Sequence, residues 1–121
     1  MIKQVILIRR DTVPKMRMGK AVAQGCHGST AFLINLLLNN EKLSEKHIEW
    51  LNSGTRKICL SVPTEKEMLD IYNLAKDSMI ESHLVCDSGK TEFKEPTNTC
   101  VCLGPDYDEI LDKITGHLSL L

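Results

Sequence analysis

The chain has 121 residues, 42% of them apolar and 26% charged, with a formal net charge of −1. A length of this order forms one domain that buries a core without disulfides or metal, and a near-neutral balance argues against a nonspecific nucleic-acid binder. Aromatic residues make up only 4% of the chain, too few for recognition by a row of stacked rings.

From the N-terminus, Lys3 to Ile8 holds the continuous apolar run V-I-L-I. This predicts a strand covered on both faces, as in α/β layers. Arg9, Arg10 and Asp11 follow at its C-terminal end, where ligands of α/β sheets usually bind. Thr12 to Pro14 is a connecting loop, and a long helix is predicted from Met18 to Leu38, with Asn39-Asn40 as its stop.

That helix opens with K-M-R-M-G-K, so Lys15, Arg17 and Lys20 sit in or just before its first turn. A helix N-terminus already carries partial positive charge and unpaired N–H groups, and no Asp or Glu occurs from Thr12 to Asn40 to relieve the repulsion. A helix start ringed with cations is suited to holding a phosphate. Residues 1–30 carry six Lys/Arg against one Asp, and the remainder nine against fifteen Asp/Glu. That polarity fits a local anionic ligand.

Helical periodicity divides the same helix into three faces. Lys20, Gln24 and His27 fall within roughly one 60° sector, flanked by Ala23 and Ala31. Val22, Cys26, Leu33 and Leu37 lie opposite and read as the core face. Ala21, Gly25 and Gly28 form a strip almost without side chains. Gly in a helix interior costs about 1 kcal/mol relative to Ala, so two on one strip imply a very close neighbour, either another element or a ligand. On spacing alone, the polar stripe also fits an ordinary amphipathic helix.

Ser44 to Leu51 is predicted as a short second helix containing the only Trp, and Asn52-Ser53-Gly54 ends it. Arg56 to Val62 reads as a second strand. A third helix starts at Pro63-Thr64, where Thr64 and Glu67 have capping-box spacing. Ser82 to Cys86 is a third strand ending at Asp87. Ser88 to Thr97 is a polar loop, and Asn98 to Leu103 a fourth strand. Pro105-Asp106 is expected to open a last helix, closed near Gly116 and followed by the tail H-L-S-L-L. The last two strands have no helix between them, which argues against a purely parallel sheet. The expectation is one α/β domain spanning residues 1–121, a mixed four-stranded sheet with helices packed on both faces.

The second informative stretch is Asp87-Ser88-Gly89-Lys90-Thr91. A carboxylate where a strand meets a loop can orient a hydroxyl or act as a base. If the first and third strands share a direction, Lys20, Gln24, His27, Asp87 and Thr91 converge at one sheet edge. A surface turn capped by its own Asp and Thr accounts for the stretch as well. His47 and His83 follow no pattern and read as surface or strand-packing residues. Cys59, Cys86, Cys100 and Cys102 lie in apolar runs and are expected as small buried hydrophobes. An odd total of five cysteines without a C-x-x-C pair indicates a reducing compartment without disulfides. No cleavable leader pattern is present and the apolar runs fall short of a membrane span, so a cytoplasmic location is expected.

Five motifs in order resemble those of the type-2 peptidyl-tRNA hydrolases. They are the first strand with R-R-D, then M-R-M-G-K-A-V-A-Q-G-C-H-G-S, D-S-G-K-T, T-C-V-C-L-G-P and D-K-I-T-G-H-L. The resemblance covers nearly the whole chain. It implies a mixed four-stranded α/β domain, often dimeric, that hydrolyses the ester between a stalled peptide and the 3′ ribose of tRNA. It implies no metal and no other cofactor. By position it assigns the functional cluster to Lys20, Gln24, His27, Asp87 and Thr91, with Thr99 nearby.

From their chemistry, Lys20 would hold a phosphate or the oxyanion, and Asp87 would position or deprotonate water, directly or through Thr91. Gln24 and His27 would orient substrate or assist proton transfer, while Arg10, Lys15, Arg17 and Lys90 would meet tRNA phosphates. Three departures stand out: Met18 where the family usually has Lys, Gly28 where it usually has Ala, and Lys90 where it has Arg. A catalytically weak RNA- or protein-binding module on the same fold is the alternative.

Overall fold

The computed structural model describes residues 1–121. The chain runs β1 (Ile2–Arg9), α1 (Met18–Leu38), α2 (Glu45–Asn52), β2 (Lys57–Val62), α3 (Glu65–Asp77), β3 (Ser82–Asp87), β4 (Thr97–Tyr107), α4 (Asp108–Thr115) and β5 (Ser119–Leu120). The sheet is mixed, in the order β3-β4-β1-β2-β5. β1 pairs parallel to β2 and antiparallel to β4, which is antiparallel to β3. β1 and β3 therefore point the same way, and their C-terminal ends lie at one edge.

The sheet has five strands rather than the expected four. Ser119 and Leu120, in the C-terminal tail, pair antiparallel with Ser61 and Leu60 on the free edge of β2. Two residues are too short to show an alternation, so only the open edge beside them reveals the strand. β4 is also longer than expected. It continues through Gly104-Pro105-Asp106 because its far end still pairs with the start of β1, Ile2 opposite Tyr107. The last helix thus begins at Asp108 rather than Asp106, and the expected Asp106–Glu109 capping box does not form. Asp106 is instead buried, accepting a hydrogen bond from the Tyr107 backbone N–H and an ion pair from Lys46 at 2.9 Å.

The alternation of β1 divides the core between two faces. Val5 and Leu7 join Leu60, Val62, Val101 and Leu103 under α3 and α4, with Met68, Ile71 and Leu111 closing that layer. Ile6 and Ile8 face the other way with Cys100 and Cys102, beneath α1. Further along α1, Phe32 meets Ile2 and Trp50 and stacks on His47 at 4.5 Å between ring centres.

The face that α1 buries is not the most apolar one. Its buried residues are Gln24, Gly25, Gly28, Ser29 and Phe32, while Val22 is 60% and Leu37 78% exposed. The close neighbour implied by the glycines is the sheet itself. A Cβ on Gly28 would come within 3.1 Å of Cys102 Cβ and 3.3 Å of Cys100 Sγ. Gln4 secures the contact from below: its Nε2 donates to the Ser29 carbonyl at 3.0 Å and its Oε1 accepts from the Ser29 hydroxyl at 2.5 Å. The 21-residue α1 has the length and apolarity of a membrane span, but this face is docked on β1, β3 and β4. It does not reach β2, which leaves Cys59 exposed. Cys86 is exposed as well, so only Cys100 and Cys102 are the buried hydrophobes that all four were expected to be.

His47 and His83 are more than packing residues. The Nε2 of each lies against Glu81, at 2.6 and 2.8 Å, while His47 Nδ1 accepts the Ser44 backbone N–H and closes a capping box on α2. The His83 hydrogen bond, more than the His47 one, holds the Glu81 carboxyl below its ordinary value against the opposing effect of burial. A depressed carboxyl contributes stability above its unfolded value, about 4.3, and loses it as pH falls through the folded value. Glu81→Gln should therefore flatten the fall of Tm between about pH 5 and pH 3. Thermal melts across that range test this, and an unchanged slope would refute it.

Candidate active site

The site forms where the C-terminal end of β3 meets the first turns of α1. Asp87 is the last residue of β3. Its Oδ2 accepts the Gly89 backbone N–H at 2.9 Å, a turn that needs the positive φ of Gly89, +82°. A Cβ at Gly89 would also strike the Glu95 backbone. This turn folds the loop back so that Thr91 stands beside Asp87.

Lys20 reaches across from α1. Its ammonium donates to Asp87 Oδ1 and, at 2.8 Å, to Thr91 Oγ1. The ion pair is largely withdrawn from solvent, with side-chain exposures of 11% for Lys20 and 9% for Asp87. The buried Phe93 ring lies 5.8 Å from Lys20 Nζ. Hydrogen bonding from Lys20, then from Gly89, holds the Asp87 carboxyl below the usual range, with the charges of Lys20 and His27 adding to it. Asp87 is thus a charged acceptor of reduced basicity. An ammonium has three protons; two are committed, and the third is available to a ligand oxygen.

Gln24 sits one turn further along α1, buried against the sheet. The Thr99 hydroxyl, from near the start of β4, donates to Gln24 Oε1 at 2.5 Å. This fixes the amide with Nε2 as its remaining donor. His27 is exposed and makes no side-chain hydrogen bond, although its charge is felt at Asp87. Thus Lys20, Asp87 and Thr91 form one hydrogen-bonded group, Gln24 is braced beside it by Thr99, and His27 stays at the margin.

The cations behave differently from one another. Arg10, Lys15, Arg17 and Lys90 are all exposed, and only Arg17 has an acidic neighbour, Glu92 at 3.8 Å. The start of α1 lacks any side-chain cap or first-turn acid, as the sequence led us to expect. Arg9 has a structural task instead. It bonds to Asp11 at 2.7 Å, to the Asn98 carbonyl at 3.1 Å and to Glu65 at 3.2 Å, tying the ends of β1, α3 and β4 together. Phe93 and the Gly89 N–H were not foreseen. An isolated aromatic within a polar loop was the one available signal for Phe93.

A model of the family described as peptidyl-tRNA hydrolase PTH2 matches residues 2–121. The peptidyl-tRNA hydrolase of Methanocaldococcus jannaschii is 40% identical over 121 residues, covering 99% of this chain and 100% of that protein. Its counterpart in Methanothermobacter thermautotrophicus is 42% identical over 120 residues, with the same coverage. That of Nanoarchaeum equitans is 38% identical over 120 residues, 99% of each chain.

Proposed function

The chain belongs to the peptidyl-tRNA hydrolase PTH2 family, and on that premise we propose that it hydrolyses the ester between a peptide and the 3′ ribose of tRNA at the Lys20–Asp87–Thr91 group. The observation that carries this reading is one ammonium shared between a carboxylate and a hydroxyl, with a proton to spare. An ester carbonyl placed on that proton gains charge stabilisation as water attacks and the oxyanion develops. Asp87 keeps free lone pairs to orient the attacking water and accept its proton, and the Thr91 hydroxyl can relay between them. Gln24 Nε2 supplies a second donor for the substrate. His27, at the rim, meets the leaving ribose or its phosphate.

The exposed Arg10, Lys15, Arg17 and Lys90 surround the start of α1 and the loop after β3. They supply phosphate contacts for the tRNA end, which makes affinity salt-dependent. The reaction needs no metal on this reading, and a cytoplasmic site of action follows from the substrate. The first experiment is release of peptide from N-blocked aminoacyl-tRNA in buffer with EDTA. Turnover supports the reading. Binding of tRNA by folded protein without turnover would favour the binding module, with exposed Met18 as the first suspect.

The chain also works as a homodimer on this reading. Ile34, Leu37 and Leu38 stand exposed on the second half of α1, and a cluster of this kind is suited to an interface. Sedimentation should give a dimer that Leu37→Glu with Leu38→Glu converts to a monomer. A natural chain that sediments as a monomer at tens of micromolar would overturn it.

A further inference from the structure

A cavity of about 710 Å³ opens on the other side of α1 from Lys20. Because α1 stops short of β2, the sheet residues Ile6, Ile8 and Cys59 form its floor, and Met18, Val22 and Cys26 of α1 form a wall. Its volume falls in the range of small-molecule and peptide-side-chain pockets. Arg10, Lys15 and Lys57 stand at its border, and no Asp or Glu lines it.

We propose that this cavity receives the peptide portion of the substrate, at residues upstream of the one esterified to tRNA. The proposal rests on the functional reading above. Lys20 and Ala21 are adjacent in the chain, the first on the ester site and the second on the cavity. The two sites are thus separated by the N-terminal end of one helix, about 10 Å across. An extended chain covers about 3.3–3.6 Å per residue, so roughly three residues pass round the helix end and the following ones enter the cavity. Apolar side chains there bury against Ile6, Ile8 and Val22. Arg17 and Lys90 hold the tRNA on the Lys20 side of α1, and Arg10 and Lys15, at the cavity border, meet its phosphates where the peptide passes round the helix end.

The test compares two substrates, an N-acetyl-aminoacyl-tRNA and an N-acetyl-hexapeptidyl-tRNA with leucines at the fourth to sixth residues from the ester. The natural chain should show a KM at least tenfold lower for the longer substrate. Cys26→Trp, on an exposed position of the cavity wall, should remove most of that advantage while leaving kcat and KM for the short substrate within twofold. The short substrate then serves as the control for folding. Val22→Asp, at a wall position that is 60% exposed, should raise KM for the long substrate alone by severalfold.

Equal KM values for both substrates in the natural chain would overturn the proposal while leaving the esterase reading intact. So would a Cys26→Trp effect that is the same on both. Indifference to peptide length together with a changed sedimentation of Cys26→Trp would assign the cavity to a second copy of the chain. Absence of turnover on either substrate would overturn the esterase reading, and this one with it.

Discussion

Asp87→Asn and Lys20→Met should each lower kcat on peptidyl-tRNA by a hundredfold or more, about 2.7 kcal/mol of barrier. Both changes keep the approximate shape of the side chain and remove its charge. Without Asp87, the ammonium has no carboxylate to orient it and the attacking water loses its acceptor. Without Lys20, a carboxylate only 9% exposed stands unpaired, and the proton aimed at the oxyanion is gone. Because the two act through one hydrogen-bonded group with Thr91, the double variant should be little worse than either single one. Filter binding of tRNA to Asp87→Asn should stay close to that of the natural chain, since Arg17 and Lys90 are untouched. The depressed Asp87 carboxyl also sets the sign of the acid limb: activity should persist as pH falls through the ordinary carboxylate range and be lost only below it. Full activity in both single variants would move the reaction elsewhere in the molecule.

Gly28→Val should lower stability by about 2 kcal/mol, roughly 8 °C of Tm for a domain of this size, and lower activity with it. Any Cβ here meets Cys102 Cβ at 3.1 Å and Cys100 Sγ at 3.3 Å, and a branched side chain adds two methyls to that contact. The sheet beneath cannot retreat, because Cys100 and Cys102 belong to a central strand paired on both sides. Helix α1 must therefore lift or tilt, and it carries Lys20 two turns away from the point of contact. Cys100→Ala in the same chain removes the sulfur and should restore part of the lost stability. Thermal melts of the two single variants and the double variant measure this coupling. Gly28→Val with an unchanged melt would mean that α1 does not depend on this close approach.

The gain and the loss of the sequence reading both centre on that helix. Its bounds, its uncapped basic start and its polar stripe are local properties, written in periodicity and in the absence of acids. The edge where the site gathers was legible only on the condition that β1 and β3 share a direction, and the antiparallel pairing of β4 with both strands is what meets it. Asp87 and Thr91 were recognisable as a turn with chemistry in it, although the turn alone did not distinguish a site from a surface loop.

Which face of α1 meets the sheet could not be read from apolarity. Val22, Cys26 and Leu37 look like the core face, yet the sheet takes Gln24, Gly25, Gly28 and Ser29. Close approach removes more surface from water, and Gln4 and Thr99 satisfy the two polar side chains that this buries. The contest between an apolar face and a small one is decided by partners up to 75 positions away in the chain.

The same distinction runs through the molecule. Local sequence determined the long elements, the cationic helix start and the residues with chemistry to offer, because helix periods, caps and turns depend on neighbours a few positions apart. Tertiary structure alone decided the fifth strand, the exposure of Cys59 and Cys86, the structural use of Arg9 and the cavity beside β2. Each depends on which surfaces the packed helices leave open, and that is set by contacts between segments distant in the chain.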